Sequence, residues 1–458
     1  MAWACALAAI ASMPAASGSG PTSPRSDPVA PGPVREIEIR VRRTDPDVVR
    51  EALHFAEGDT LSSEALAASR RSLLELGLFR TLDITPAWVP ELDGYRVTVQ
   101  GEDGWFILPW PMFGRAGGET FGGLLLLVHN VFRRSEGLML LGMRSEDRVF
   151  AVGGLHLHGH GLSGGFRDDQ WTEVQYADGA YSRLRFRDSS GSPRPSDYGE
   201  VVRTLRREET DGFLGATWRA SSGLSLSLRV ALARLAAEDE SSGTRQETQL
   251  GSLLLSAAYG TPGGNGESMG GMFGAFGRLF GLGMAGVQDR LQPRTGNDWS
   301  TRVSGAIERG DSVLGSDAEY VRATAGLRVS RHFEDWSRLT LGLMGGWGTR
   351  LPESRAFTAG EPGALAGRYA RDHRGDRLLA ASLGYGRPFF RSRVGTLHTQ
   401  AFADVARVVG PETRGTTTGA GLSIAYTFWR FPLPIGGGVT YGFRDRDAQF
   451  SLAVGGAF

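Results

Sequence analysis

From Trp105 to Phe458, segment after segment of this sequence places apolar residues at every second position. Leu224, Leu226, Leu228, Val230 and Leu232 alternate with Ser225, Ser227, Arg229, Ala231 and Ala233. The same pattern recurs from Val321 to Ser330 and from Gly419 to Phe428. A period of two is a strand signal, because successive strand side chains leave opposite faces of a sheet. Soluble sandwiches alternate as well, with their apolar face turned inward. The number of segments, their length near ten residues and a mostly small or polar opposite face point instead to a membrane-spanning barrel. Such a sheet has to close, since an open edge would leave backbone groups unpaired in hydrocarbon. The stretch 103–458 holds roughly sixteen antiparallel strands. The 66 glycines, about twice the usual ~7% share, leave room on an inner wall for an infolded loop.

A chain of 458 residues exceeds one ordinary domain. Lys+Arg and Asp+Glu are 50 each, so no net charge offers an electrostatic grip on nucleic acid. The single cysteine, Cys5, excludes an intramolecular disulfide or a cysteine-based metal cluster, and nothing indicates a cofactor or metal. Residues 1–17 are apolar and alanine-rich, and end in Ala15-Ala16-Ser17, which reads as a secretory signal peptide without the usual positive start. No later run approaches a transmembrane helix; the strongest, Thr120 to Phe132, is too short.

Residues 18–34 are rich in Gly, Ser and Pro and read as a flexible linker. In 35–102 the order is β-α-α-β-β. Ile37, Ile39 and Val41 alternate in a first strand. Asp45-Pro46 opens a helix, and Ser62 or Ser63 caps a second one that stops at Gly77. Leu82 and Ile84, then Tyr95, Val97 and Val99, mark two more strands. The second of the three strands, Phe79, Arg80, Thr81, Leu82, Asp83, Ile84 and Thr85, is expected at an exposed sheet edge.

Several motifs suggest chemistry. Gly161-Leu162-Ser163-Gly164-Gly165 matches a hydrolase nucleophile pattern, but it interrupts strand-like sequence without the strand-turn-helix setting that pattern requires. The protein is expected not to be an enzyme. His156, His158 and His160 share one strand parity, yet two-residue steps of nearly 7 Å keep three imidazoles from converging without a bend. The tripeptides Arg309-Gly310-Asp311 and Arg374-Gly375-Asp376 fall at turns between strands. Gly263 to Gly286, with Met269, Met272, Phe273 and Phe276, reads as an insertion or as a short packed helix.

Leu351 to Pro388, followed by Phe402-Ala403-Asp404-Val405-Ala406, resembles the sixth loop and its docking strand in BamA/TamA-like outer-membrane assembly proteins. The 35–102 unit, including Leu76-Gly77-Leu78-Phe79, resembles a POTRA domain. The chain end, with Phe450, Leu452, Val454 and terminal Phe458 on one parity, resembles a β-signal for barrel assembly. The resemblance implies an inward-folded loop at 350–377, pinned by an arginine to the aspartate of a Phe-x-Asp strand. Ala366 occupies the family's arginine position, so the lock falls to Gly367, Arg368 and Tyr369, with Arg371 in reserve, meeting Phe402 and Asp404. It also implies residence in the outer-membrane bilayer with the POTRA domain in the periplasm. Unfolded client polypeptides, and periplasmic or inner-membrane accessory proteins, would be partners. The implied function is insertion, assembly or translocation of clients, through a POTRA edge strand and a barrel seam that opens sideways. The alternative is a pore or export channel for polypeptide, lipid or small solute.

Overall fold

A computed structural model of the chain describes residues 31–75, 78–103, 107–116, 119–130, 133, 136–145, 148–157, 160–184, 199–219, 223–260, 299–333, 335–359, 372–392, 394–411, 413–428, 434–443 and 447–454. The N-terminal unit comprises β1 (Gly32–Arg40), α1 (Pro46–Glu51), β2 (Thr60–Leu61), α2 (Ser63–Glu75), β3 (Phe79–Val89) and β4 (Gly94–Asp103). Asp45 caps α1 by accepting from the Asp47 N–H at 3.1 Å, with Pro46 in the first turn. The sheet order is β2-β1-β4-β3, with β1 parallel to β4 and β3 antiparallel to it. Two features differ from the sequence expectation. β1 starts at Gly32, within the presumed linker, and the two-residue β2 adds a fourth strand too short to show alternation. Val34, Ile37, Leu61 and Val97 form the core against the helices, joined by a second cluster of Val49, Leu73, Leu82 and Val99.

The rest of the chain supplies β5 (Ile107–Ala116), β6 (Glu119–His129), β7 (Gly137–Ser145), β8 (Arg148–Leu157), β9 (His160–Tyr176), β10 (Ala180–Leu184), β11 (Val201–Arg219), β12 (Leu224–Asp239) and β13 (Arg245–Gly260). It continues through β14 (Trp299–Gly310), β15 (Tyr320–His332), β16 (Arg338–Thr349), β17 (Phe357–Thr358), β18 (Asp372–Gly375), β19 (Arg377–Arg391), β20 (Gly395–Val409), β21 (Arg414–Phe428), β22 (Pro434–Gly442) and β23 (Asp447–Val454). Long antiparallel ladders join successive strands, β9 passes directly to β11 and β16 to β19, and β23 returns to β5, so the sheet closes as a barrel. No helix among the described residues is long and apolar enough to cross a membrane.

The two faces follow the alternation. Leu214, Leu255, Ile307, Leu379 and Phe450 project outward, each more than half exposed. Inward positions of β9, β11 and β14 carry Arg167, Asp169, Glu173, Arg207, Glu209, Asp211 and Glu308. The inner face of β5 to β8 departs from the expected small or polar lining. Trp110, Met112, Leu125, Leu127, Met139, Leu141, Phe150 and Val152 form a buried cluster there, reached by Phe213 of β11. These four strands are apolar on both faces, which the sequence shows as near-continuous hydrophobic runs such as Leu124–Val128.

Candidate functional site

Between β16 and β19 the chain folds back into the barrel, and glycines make the inner wall shallow where it passes. Gly346 of β16 leaves the space that the Phe357 ring fills, Gly348 does the same for Leu351, and Gly415 of β21 for the His373 ring. Phe357 is fully buried against Ala359, Leu378, Ala380, Ala406 and Val408. The Arg322 guanidinium of β15 covers its ring at 4.4 Å. Burying a phenylalanine stabilises by roughly 2–3 kcal/mol, so this apolar anchor is a substantial hold on the segment.

Backbone pairing fixes the returning limb. β17 and β18 form a small hairpin with Phe357 opposite Gly375. β18 also pairs with β10 through Ala180↔His373 and Tyr181↔Asp372. β10 in turn extends the edge of β9 beyond the end of β8, so the infolded segment is joined to the barrel wall by main-chain hydrogen bonds. The Asp372 carboxylate accepts from the Ala359 N–H at 2.7 Å and ties the two limbs together.

Charge completes the attachment. Glu173, fully buried on β9, receives a two-pronged contact from Arg374 of β18 and a bond from Arg207 of β11 at 3.0 Å. Glu353, from the descending limb, accepts from Arg207 at 2.7 Å and from Arg374 at 2.6 Å. The four residues form an alternating, neutral ring, with Gln175 donating to both carboxylates and Tyr181 stacked 4.0 Å from the Arg374 guanidinium. Nearby, Arg355 of the same limb lies 3.5 Å from Glu209 and 3.7 Å from Glu308, while Arg167 binds Glu209 at 2.6 Å and Asp211 at 2.5 Å. Buried charges are retained only when paired in this way, because each alone would carry a desolvation cost of several kcal/mol.

Of the sequence-derived lock, Gly367, Arg368, Tyr369 and Arg371 lie outside the described residues. On β20, Asp404 is buried on the inner face and the Phe402 ring packs over Gly421. The ring around Glu173 was missed, although Arg374 had been noticed within an Arg-Gly-Asp triplet. The available signal was parity. Arg167, Asp169 and Glu173 share one face of β9, and Arg207, Glu209 and Asp211 share one face of β11, an interior charge load that requires partners.

β3 sits at the edge of the N-terminal sheet, with Thr81, Asp83 and Thr85 exposed, Leu82 buried and Pro86 ending the run of donors. Phe450 and Leu452 of β23 face outward; Phe458 lies outside the described residues. β23 meets β5 through the register pairs Phe113↔Val454 to Ala116↔Ser451 among the described residues. The histidine reading is corrected. His156 belongs to β8 and His160 opens β9, so these two lie on different strands instead of one, and His158 lies outside the described residues. Gly161–Gly165 lies within β9, without a following helix. The segment 263–286 lies outside the described residues.

No protein-family model matches the chain, and no curated protein matches it. Solved structures do. CdiB from Escherichia coli aligns with a TM-score of 0.57 at 12% identity, covering 92% of this chain and 76% of that one. CdiB from Acinetobacter baumannii gives 0.53 at 13%, covering 93% and 74%. BamA from Haemophilus ducreyi, lacking POTRA domains 1–3, gives 0.49 at 13%, covering 92% and 84%. At these identities the likeness is one of fold, which rests on the two CdiB structures and agrees with the BamA/TamA-like resemblance carried by the sequence.

Proposed function

From the barrel fold shared with the CdiB structures, together with the BamA/TamA-like motifs, we propose that this protein inserts or translocates client polypeptides at the outer membrane. On this reading it is a sixteen-stranded barrel with one periplasmic POTRA domain, and it works without a chemical step. The observation that carries the reading is the closure of the barrel between its first and last strands, β5 and β23, in a chain whose N-terminal sheet has β3 at its edge. An edge strand offers N–H and C=O groups to an extended chain, and the junction of first and last strands is the one place where a barrel can open without parting strands joined by a turn. The ring around Glu173 holds the infolded segment in the lumen while the seam works.

The test is reconstitution into liposomes, comparing how fast an unfolded barrel client folds with and without the protein. A Gly114→Cys, Ala453→Cys pair, opposite each other in the seam, should stop that acceleration when oxidised and restore it on reduction. Acceleration that survives the closed seam would refute lateral delivery. Ion conduction without any client effect would favour the pore or export channel.

A further inference from the structure

The loop after β1 and the turn between β6 and β7 meet in a polar contact that joins the N-terminal domain to the barrel. One Asp103 carboxylate oxygen accepts from the Thr44 hydroxyl at 2.7 Å and the Thr44 N–H at 3.2 Å. The other accepts from the N–H groups of Arg43 at 2.9 Å and Arg42 at 3.2 Å. The Thr44 hydroxyl, so oriented, receives the side-chain amide of Asn130 at 3.0 Å. Two further bonds cross between the units: Asp45 N–H to the Arg133 carbonyl at 2.8 Å, and Arg133 Nε–H to the Arg43 carbonyl at 2.7 Å. Thr44 and Asn130 are almost wholly buried, an environment in which a polar group left unsatisfied is costly. Asn130 and Arg133 both have positive φ, at 57° and 70°, so the turn is held in a conformation that suits these contacts at some backbone cost.

We infer that Asp103, Thr44 and Asn130 form a clasp that positions the N-terminal domain beside the seam; its purpose rests on the client-handling function proposed above. Strand register supplies the link. Asp103 lies opposite Phe79, and the antiparallel ladder runs from there to Thr85 opposite Thr98. The edge segment Phe79–Thr85 is therefore the barrel-proximal half of β3. From Asp103 the chain reaches β5, one side of the seam, in four residue steps, at most roughly 14 Å. A client strand added to β3 would thus be presented within reach of β5, provided the domain cannot swing. Thr44, Asn130 and Asp103 act as positioning residues, since none of them touches the edge where a client would bind.

The experiment uses the full-length protein in liposomes with Cys5→Ala. Spin labels on Asp47→Cys in α1 and Val394→Cys in the β19–β20 turn report the distance between domain and barrel. Thr44→Val removes the hydroxyl without changing shape, and Asn130→Gly removes the amide while permitting the left-handed backbone. Thr44→Ser retains the hydroxyl. Thr44→Val and Asn130→Gly should broaden the distance distribution and raise the undocked population roughly fivefold, the scale of one lost hydrogen bond. They should slow client folding by a similar factor with an unchanged barrel unfolding temperature, whereas Thr44→Ser behaves as wild type. An unchanged distance distribution in both variants overturns the clasp. A broadened distribution with undiminished client folding overturns its positioning role. The distance measurement needs no client, so it decides the clasp even if the wild-type protein shows no assembly activity.

Discussion

Glu173 seats the returning limb on the barrel wall, because Arg374 of that limb binds it with two prongs while Arg207 of the neighbouring wall strand supports it. Glu173→Gln leaves two buried guanidinium groups facing a neutral amide, with Glu353 as their remaining carboxylate. Breaking a buried pair costs roughly 3–5 kcal/mol, and the half-exposed Glu353 draws the effect toward the lower end. The unheated, fast-migrating form on a detergent gel should therefore convert at a lower temperature than wild type. Glu173→Arg with Arg374→Glu should recover part of the loss, and a wild-type conversion temperature for Glu173→Gln would remove the ring from the account. Asp103 provides a pH-dependent contact outside the membrane. Burial raises its pKa, but bonds from the Thr44 hydroxyl and the Arg43, Thr44 and Arg42 N–H groups outweigh that and hold the carboxyl below its ordinary value. The stabilisation is present above the unfolded-state pKa of about 4 and is lost as pH falls through the lower folded value. Hydrogen exchange of the Arg43 and Thr44 amides should quicken under acid relative to the sheet core, and exchange that follows only the core would contradict this.

Among the elements, β3 makes the sharpest commitment. It has β4 on one side only, and Thr81, Asp83 and Thr85 keep that edge polar. Pro86 removes a donor immediately after Thr85, confining any added strand to the barrel-proximal half. The outward donors of this half share the parity of Pro86, so Ile84→Pro would remove one of them, and it should reduce client folding several-fold while the circular dichroism spectrum stays native. Unchanged client handling in a folded variant would eliminate strand addition at this edge. β10 illustrates a device of another kind. It is a five-residue strand that prolongs the β9 edge and accepts β18, so a surface connection becomes part of the loop's seat.

For the whole molecule, the apolar outer belt and the closed ladder give a direct physical expectation. The protein should fractionate with the outer membrane and migrate faster on a detergent gel before heating than after, because a closed barrel resists detergent until its ladders melt. Recovery in the soluble periplasmic fraction would refute the membrane reading.

Much of this architecture is local and so was legible in the sequence. Alternation marked β12, β15 and β21, and Asp45-Pro46 marked α1. These follow from neighbouring side chains and backbone chemistry, which need no distant partner. The short strands β2, β10 and β18 were not legible, because two to five residues carry too little periodicity and form only against an edge presented elsewhere. The apolar inner face of β5–β8 required knowing which strands share the lumen. The Glu173 ring joins residues 173, 207, 353 and 374, and the clasp joins 44, 103 and 130. Sequence determined that these charges and amides had to be satisfied; only closure of the barrel decided by whom, since partners separated by up to about 200 positions meet through the geometry of the whole sheet.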